Sequence, residues 1–248
     1  MPTRVLTAEE CEALTASAPS QLSAELSLAL SADSPLTADA ASSLCSWQVP
    51  RETEGGACSS KPGDTVPFDA LRGEYGASVA PTAPWSPRVQ RLARLASVLR
   101  AANAAAACDW LGVYRVVERG GVRTLQKEAY LGAASRAFFP LTPEFAAHSN
   151  NSQVGMSGAA RLISDAHALG DDDAYYVCDG RVRSELCAPI FAGGAAGGEV
   201  IGIVDAESFA AGHFDADAAA AAVLLACRLL GEADLLRGML ASGDDGKR

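Results

Sequence analysis

Residues 175–191 read Tyr-Tyr-Val-Cys-Asp-Gly-Arg-Val-Arg-Ser-Glu-Leu-Cys-Ala-Pro-Ile-Phe. Cys178 stands beside Asp179, and Glu185 and Cys187 enter a strand-like apolar run over residues 186–191. A cysteine becomes a nucleophile once it is a thiolate. A carboxyl group that enters an apolar strand has its pKa raised by desolvation and can then donate a proton. A thiol and a proton donor close together are what the reduction of an oxidised sulfur centre requires.

Composition excludes several classes of protein. The chain has 248 residues, a net charge of −10, a pI near 4.8 and 49% hydrophobic residues, enough for a real core. An acidic surface repels phosphate backbones, so nucleic acid is not an expected partner. No apolar run reaches about 18 residues, so no membrane span is expected. The seven cysteines contain no CxxC pair and no zinc spacing, so no metal site is expected. Without a visible signal peptide, we expect a reducing, cytoplasmic location.

The pattern divides the chain into three parts. Residues 1–85 are rich in Ser, Ala and Pro and are predicted to be a partly ordered, poorly structured extension. Its expected anchors on the domain are Trp47, Phe68 and Tyr75. Residues 86–241 are predicted to form the domain, and residues 242–248 a charged tail.

Within the domain, two strand pairs and two helices are predicted. Residues 110–117 and 122–131 form one hairpin around Glu118-Arg-Gly-Gly121, and residues 186–191 and 200–205 form the other. Ser86-Pro87 begins the first helix, and Asp215 caps the last, which Gly231 ends. Residues 140–158 are interpreted as a loop. This order predicts an α+β domain with a central antiparallel sheet flanked by helices.

Candidate ligand contacts come from strand periodicity. Trp110 and Tyr114 are four residues apart, and Asp205 and Glu207 are two apart, so each pair shares a face of its strand. Aromatic rings beside converging carboxylates suit a small ligand with an ammonium group.

Six motifs in this order resemble the GAF-domain free methionine-(R)-sulfoxide reductases over residues 86–236. They are Trp110-Leu-Gly-Val-Tyr114, Ile163-Ser-Asp165, Cys178-Asp179, Ser184-Glu185, Pro189 and Val200-Ile-Gly-Ile-Val-Asp-Ala-Glu207. The resemblance implies a GAF-like fold. It also implies reduction of free methionine-(R)-sulfoxide to methionine by a nucleophilic cysteine.

The resemblance also assigns roles to residues. Cys178 matches the catalytic cysteine, and Glu185 the acid that faces the sulfoxide oxygen. The substrate-binding positions are Trp110, Tyr114, Asp165, Asp205 and Glu207. Among these, Trp110 and Tyr114 line the methionine pocket, Asp205 holds the substrate amine, and Glu207 stands where the family usually has Asp. The resemblance implies no bound cofactor. It implies an external thiol reductant such as thioredoxin.

One departure concerns the second thiol of the reaction. The family usually carries a resolving cysteine in a Gly-Val-Cys-Gly motif, where this chain has Val154-Gly-Met-Ser-Gly158, and no cysteine lies between Cys108 and Cys178. Cys187 shares its strand face with Glu185 and is the first candidate for a resolving, catalytic role; the alternative is that its strand is buried on both faces and Cys187 is simply a core residue. Cys108, two residues before Trp110, is the second candidate, and an external thiol is the third.

Two other functions remain open at this stage. A GAF module could bind methionine sulfoxide or another small ligand without turnover, which the missing resolving cysteine favours. A scaffold that uses the extension as a partner segment is the third possibility. A homodimer is left open.

Overall fold

The computed structural model describes residues 3–31, 36–52, 63–78, 80–170 and 179–237. The strands are β1 (Thr3–Val5), β2 (Ser46–Pro50), β3 (Thr65–Asp69), β4 (Glu74–Tyr75), β5 (Trp110–Arg119), β6 (Val122–Leu131), β7 (Phe138–Pro140), β8 (Arg161–Ile163), β9 (Ser184–Phe191) and β10 (Val200–Ser208). The helices are α1 (Ala8–Ser17), α2 (Ser20–Ser31), α3 (Ala38–Cys45), α4 (Pro87–Ala106), α5 (Pro143–Ala146), α6 (Asn150–Ser157) and α7 (Asp217–Glu232). Two single-turn 3-10 helices cover Ala166–Ala168 and His213–Asp215. Among these described helices, none has the length and apolar character needed to cross a bilayer.

A seven-stranded antiparallel sheet in the order β1-β8-β9-β10-β5-β6-β7 forms the centre of the domain. Both predicted hairpins are present, β5 with β6 and β9 with β10. The β5 strand is buried along most of its length because helices pack on both faces of the sheet. The predicted α+β class with a central antiparallel sheet is confirmed.

The two faces of the sheet carry different helices. The larger core packs α4 and α7 on one face through residues such as Leu99, Leu111, Val204 and Leu225. The opposite face carries Trp110 and the short helices α5 and α6. Residues 140–158 are therefore not the loop that the sequence predicted.

Short polar helices explain that error. Thr142 caps α5 with Pro143 in its first turn, and Ser149 caps α6 by accepting a hydrogen bond from the Ser152 amide. These are ordinary helix-start residues. The asparagines of α6 resemble a turn sequence, and eight residues give too little apolar periodicity to show a helix.

The last helix also differs from its prediction. It begins at Asp217 after Ala216, with no side-chain cap, and continues through Gly231 to Glu232. Gly231 does not end the helix. It lies against the backbone of Phe191 and Gly194, where a side chain would collide.

The N-terminal segment packs against the domain. β1 pairs with β8, α1 contacts α7, and α2 contacts α4. Thr7 and Glu10 form a capping box at the start of α1. Leu22 and Leu26 enter the larger core.

Between residues 31 and 84 of the predicted extension, the described residues form α3 and a separate three-stranded sheet, β2-β3-β4. The predicted anchors contact the domain. Trp47 meets the Tyr130 ring, and Phe68 and Tyr75 both meet Phe138.

Candidate functional site

The candidate site lies on the face of the sheet that α5 and α6 cover. Glu207 is directly opposite Glu185 on one side and Trp110 on the other, and Asp205 is opposite Cys187. Period-two alternation along β9 and β10 therefore places all these side chains on one face.

One cavity of about 30 Å³ joins the predicted residues. Five of them line it: Trp110, Tyr114, Glu185, Asp205 and Glu207. Ser135, Phe139, Ser149, Asn150 and Asn151 complete its lining. A volume of this size holds a group about as large as one water molecule.

Trp110 takes its place because Gly112 follows it on the same strand face. A Cβ at Gly112 would collide with the six-membered ring of Trp110, so only glycine leaves that space. The indole Nε1 donates to the Ala133 carbonyl at 3.0 Å, which fixes the ring. The Tyr114 ring lies 6.3 Å away, centroid to centroid.

A buried lysine, Lys127, lies beside the rings of Trp110 and Tyr114. A bulge in the β5–β6 pairing puts Lys127 opposite Tyr114, and the lysine is fully buried. Its Nζ donates to the Ser135 carbonyl at 2.6 Å and to Ser135 Oγ at 2.5 Å. It also lies 4.5 Å from the centroid of the Tyr130 ring, a cation–π distance.

The three carboxyl groups form a tight cluster. Glu185, Asp205 and Glu207 each bring an oxygen within 4.8 Å of the others. Burial, followed by the charge of Glu185, raises the pKa of Glu207 to about 8, against an opposing effect of Lys127. Burial also raises the pKa of Asp205 well above its usual range, and Glu185 and Glu207 add to that increase. The cluster therefore holds protons near neutral pH.

The asparagines of α6 hold two of the acids. Asn150 Nδ2 donates to Glu185 Oε1 at 2.5 Å, and Asn151 Nδ2 donates to Asp205 Oδ2 at 2.9 Å. Sequence reasoning missed both residues because it interpreted residues 140–158 as a loop. The Ser149 helix cap was the available signal.

Cys178 lies outside the described residues. Its neighbour Asp179 is ion-paired with Arg181, and that hydrogen-bonded pair lowers the pKa of Asp179. The charge of Asp179 contributes to the raised pKa of Glu207.

Cys187 shares the cavity face with Glu185, as its spacing predicted, but it packs among apolar side chains and does not line the cavity. Burial, then Asp205 and Glu185, raise the pKa of its thiol well above the usual range. A thiol held in the protonated form is a poor nucleophile.

Two other predicted positions lie elsewhere. Cys108 packs with Leu111 in the larger core because β5 begins only at Trp110, so the two-residue period does not extend back to it. Burial raises the pKa of its thiol to about 12.

Asp165 does not line the cavity; Arg183 binds both its oxygens, at 2.8 and 2.6 Å, and lowers its pKa to about 2.

Comparison with known proteins identifies the fold. Solved structures similar to this chain include the free methionine-R-sulfoxide reductase of Neisseria meningitidis in complex with its substrate, at 23% identity and a TM-score of 0.44 over 58% of this chain and 80% of the other. They include a putative GAF sensor protein of Burkholderia vietnamiensis, at 22% identity and a TM-score of 0.45 over 57% of this chain and 80% of the other. A type II free methionine-R-sulfoxide reductase of Thermoplasma acidophilum is also among them, at 20% identity and a TM-score of 0.42 over 58% of this chain and 94% of the other.

These likenesses concern enzymes and a sensor alike, and at such scores they carry no argument about activity. No curated protein matches the chain in a sequence comparison. The GAF domain family model matches residues 90–232, which is more than half of the chain. The match covers every strand of the candidate site and both short helices above it, and so this chain belongs to the GAF domain family.

Proposed function

We propose that this protein reduces free methionine-(R)-sulfoxide to methionine with Cys178 as the nucleophile. The observation that carries the proposal is the meeting of three carboxyl groups and two aromatic rings at one cavity. Raised carboxyl pKa values at such a site are typical of general acids.

In this mechanism, the Cys178 thiolate attacks the sulfoxide sulfur while a carboxyl proton from the cluster passes to the sulfoxide oxygen. Glu185 is the assigned donor, and its hydrogen bond with Asp205, which helps to raise the Asp205 pKa, supports a proton held between the two. The oxygen leaves with Cys178 as a sulfenic acid, and methionine departs. A second thiol displaces the oxygen as water to form a disulfide, and an external dithiol such as thioredoxin reduces it.

The same structure supports an external thiol as the resolving partner. Of the two internal candidates, Cys187 is buried with a raised pKa, and Cys108 lies in the other core. Neither thiol is set up to attack a sulfenic acid.

A single-turnover experiment tests the proposal. Reduced protein is incubated with free methionine-(R)-sulfoxide, and intact mass and methionine release are measured together. We expect one methionine per chain and one added oxygen on Cys178, detectable by a sulfenic-acid trap. Cys178→Ser should release none, because a hydroxyl is far less nucleophilic at neutral pH. Cys11→Ser, which removes a thiol on α1, should match the wild type.

One observation favours a second candidate, a GAF module that binds without turnover. Asn150 and Asn151 already occupy the acids that would contact substrate, and the described cavity is small. Binding of methionine sulfoxide with no methionine released would establish this alternative and end the enzymatic proposal.

A further inference from the structure

Within the part of the chain that the structure describes, three buried oxygen atoms at the cavity have no hydrogen-bond partner. They are Oδ1 of Asn150, Oδ1 of Asn151 and Oδ1 of Asp205. The three residues are only 4%, 5% and 4% exposed, and all of them line the cavity. Buried polar atoms without partners are rare in folded proteins, so each of these points to a missing donor.

The donor that would satisfy them has a definable chemistry. It must fit about 30 Å³ and offer N–H or O–H groups to acceptors that line the same cavity. The carboxyl groups of Glu185 and Glu207 are close by, and each attracts positive charge once it is ionised. The Trp110 and Tyr114 rings on the same cavity favour a cation as well. A primary ammonium group has three N–H donors, one positive charge and the size of a single heavy atom.

We propose that Asn150 and Asn151 are specificity-determining residues that select a ligand with a free primary ammonium group. The inference rests on the proposed function and adds to it two side chains that no resemblance assigns. Each asparagine acts at both ends of its amide. Its Nδ2 holds a carboxyl oxygen in place, and its Oδ1 accepts a hydrogen bond from the ammonium.

This arrangement discriminates between free amino acids and acylated ones. An amide nitrogen in a peptide or an N-acetyl group carries one N–H and no charge. It would satisfy at most one of the three acceptors and leave the others buried without a partner. Such unpaired groups are the strongest source of rejection that a binding site has.

The test compares two ligands on four proteins. Methionine-(R)-sulfoxide and its N-acetyl derivative are titrated calorimetrically into the full-length wild type, Asn150→Ala, Asn151→Ala and Gln153→Ala. Gln153 lies on the same helix, does not line the cavity and donates to the Ala146 carbonyl, so it is the matched control.

We expect each asparagine variant to weaken binding of the free amino acid about tenfold, the loss typical of one hydrogen bond to a charged group. The N-acetyl compound should bind all four proteins equally poorly. General damage to the fold would lower the affinity for both ligands together and would also appear in Gln153→Ala. Loss of the ammonium contacts would lower only the ratio of the affinity for the free amino acid to the affinity for the N-acetyl derivative.

Several results would overturn the inference. Wild-type affinity in both asparagine variants would do so, as would equal loss for the two ligands. Titration with methionine and with CaCl₂ completes the test. Asparagine-dependent binding of Ca²⁺ with no binding of any amine would identify a metal site instead. Asparagine-dependent binding of methionine without sulfoxide turnover would leave this inference standing and remove the proposed activity.

Discussion

Glu207 faces Glu185 across β9 and β10, and both side chains lie on the cavity side of the sheet. Like charges directly opposite each other destabilise a sheet. The protein tolerates the pair because burial and mutual repulsion keep protons on the cluster, with the pKa of Glu207 at about 8. The acids are therefore held ready for a cationic ligand or for proton donation, and the folded state is destabilised whenever they ionise.

A stability prediction follows for Glu207→Gln. The folded pKa of about 8 exceeds the ordinary value of 4.5, so at intermediate pH the folded protein keeps a proton that the unfolded chain has released. The wild type should therefore lose stability as pH rises from about 5 to 8. The variant cannot ionise there and should be about 1 kcal/mol more stable at the upper end, a gain of about 2–4 °C in Tm.

Thermal melts followed by circular dichroism over this pH range check the expectation. Glu144→Gln, on an exposed position of α5, is the control and should follow the wild-type curve. If Glu207→Gln melts with the same pH dependence as the wild type, the raised pKa is wrong.

Ionisation of Glu207 should lower the stability of the fold but raise the affinity for a cationic ligand. Ionised Glu207 attracts an ammonium, so the affinity for methionine-(R)-sulfoxide should increase as pH rises through about 8. The charge of Lys127 lowers the pKa of Glu207 and so favours ionisation at a lower pH. The charges of Glu185, Asp205 and Asp179 also affect how the affinity depends on pH. Calorimetry at several pH values measures it. A flat profile in the wild type, or an unchanged slope in Glu207→Gln, would contradict the expectation.

At the scale of elements, the long strands and turns were predictable and the short helices were not. The glycines at residues 120 and 121 determine the β5–β6 turn, and alternation along β10 placed Asp205 and Glu207 on one face. No such period exists in α6, whose contribution depends on tertiary contacts with Glu185 and Asp205. The aromatic and acidic half of the site could thus be found from sequence, and the amide half could not.

The contact between α7 and the end of β9 gives an element-scale prediction. In Gly231→Ala, the new Cβ would collide with the Phe191 carbonyl and come within 3.0 Å of the Gly194 backbone. Alanine gains about 1 kcal/mol of helix propensity over glycine, but backbone atoms cannot move aside as a side chain can. We expect a net loss of about 1–3 kcal/mol from overpacking.

Urea unfolding measures that loss. Gly180→Ala is the matched control because its Cβ would meet nothing within 4 Å. A Gly231→Ala protein as stable as the wild type would show that α7 shifts freely relative to β9.

At the scale of the whole molecule, the N-terminal segment contributes to the core as well as to the surface. Composition predicted a weakly structured extension because Ser, Ala and Pro bury little area. Leu22 and Leu26 nevertheless pack beside α4 and α7, four residues apart on one face of α2. Spacing within a short helix decides this packing, and average composition does not detect it.

Two leucines of α2 test this role. Leu26 is fully buried, whereas Leu28 is 67% exposed. Leu26→Ala should cost about 2–5 kcal/mol of unfolding free energy, as cavity-forming substitutions do. Leu28→Ala should stay within about 0.5 kcal/mol of the wild type. Equal values for the two variants in denaturant unfolding would show that α2 is not part of the cooperative core.

The outer strands of the seven-stranded sheet have a consequence for self-association. In the described part of the chain, β1 and β7 form its two borders, and each is only three residues long. β7 ends in Pro140, which has no amide hydrogen to offer an incoming strand. A border this short gives a second molecule too few backbone groups to pair with, which is how natural sheets resist fibril-like growth. The reactive chemistry proposed for the interior thus belongs to a sheet whose margins offer few backbone groups to another molecule.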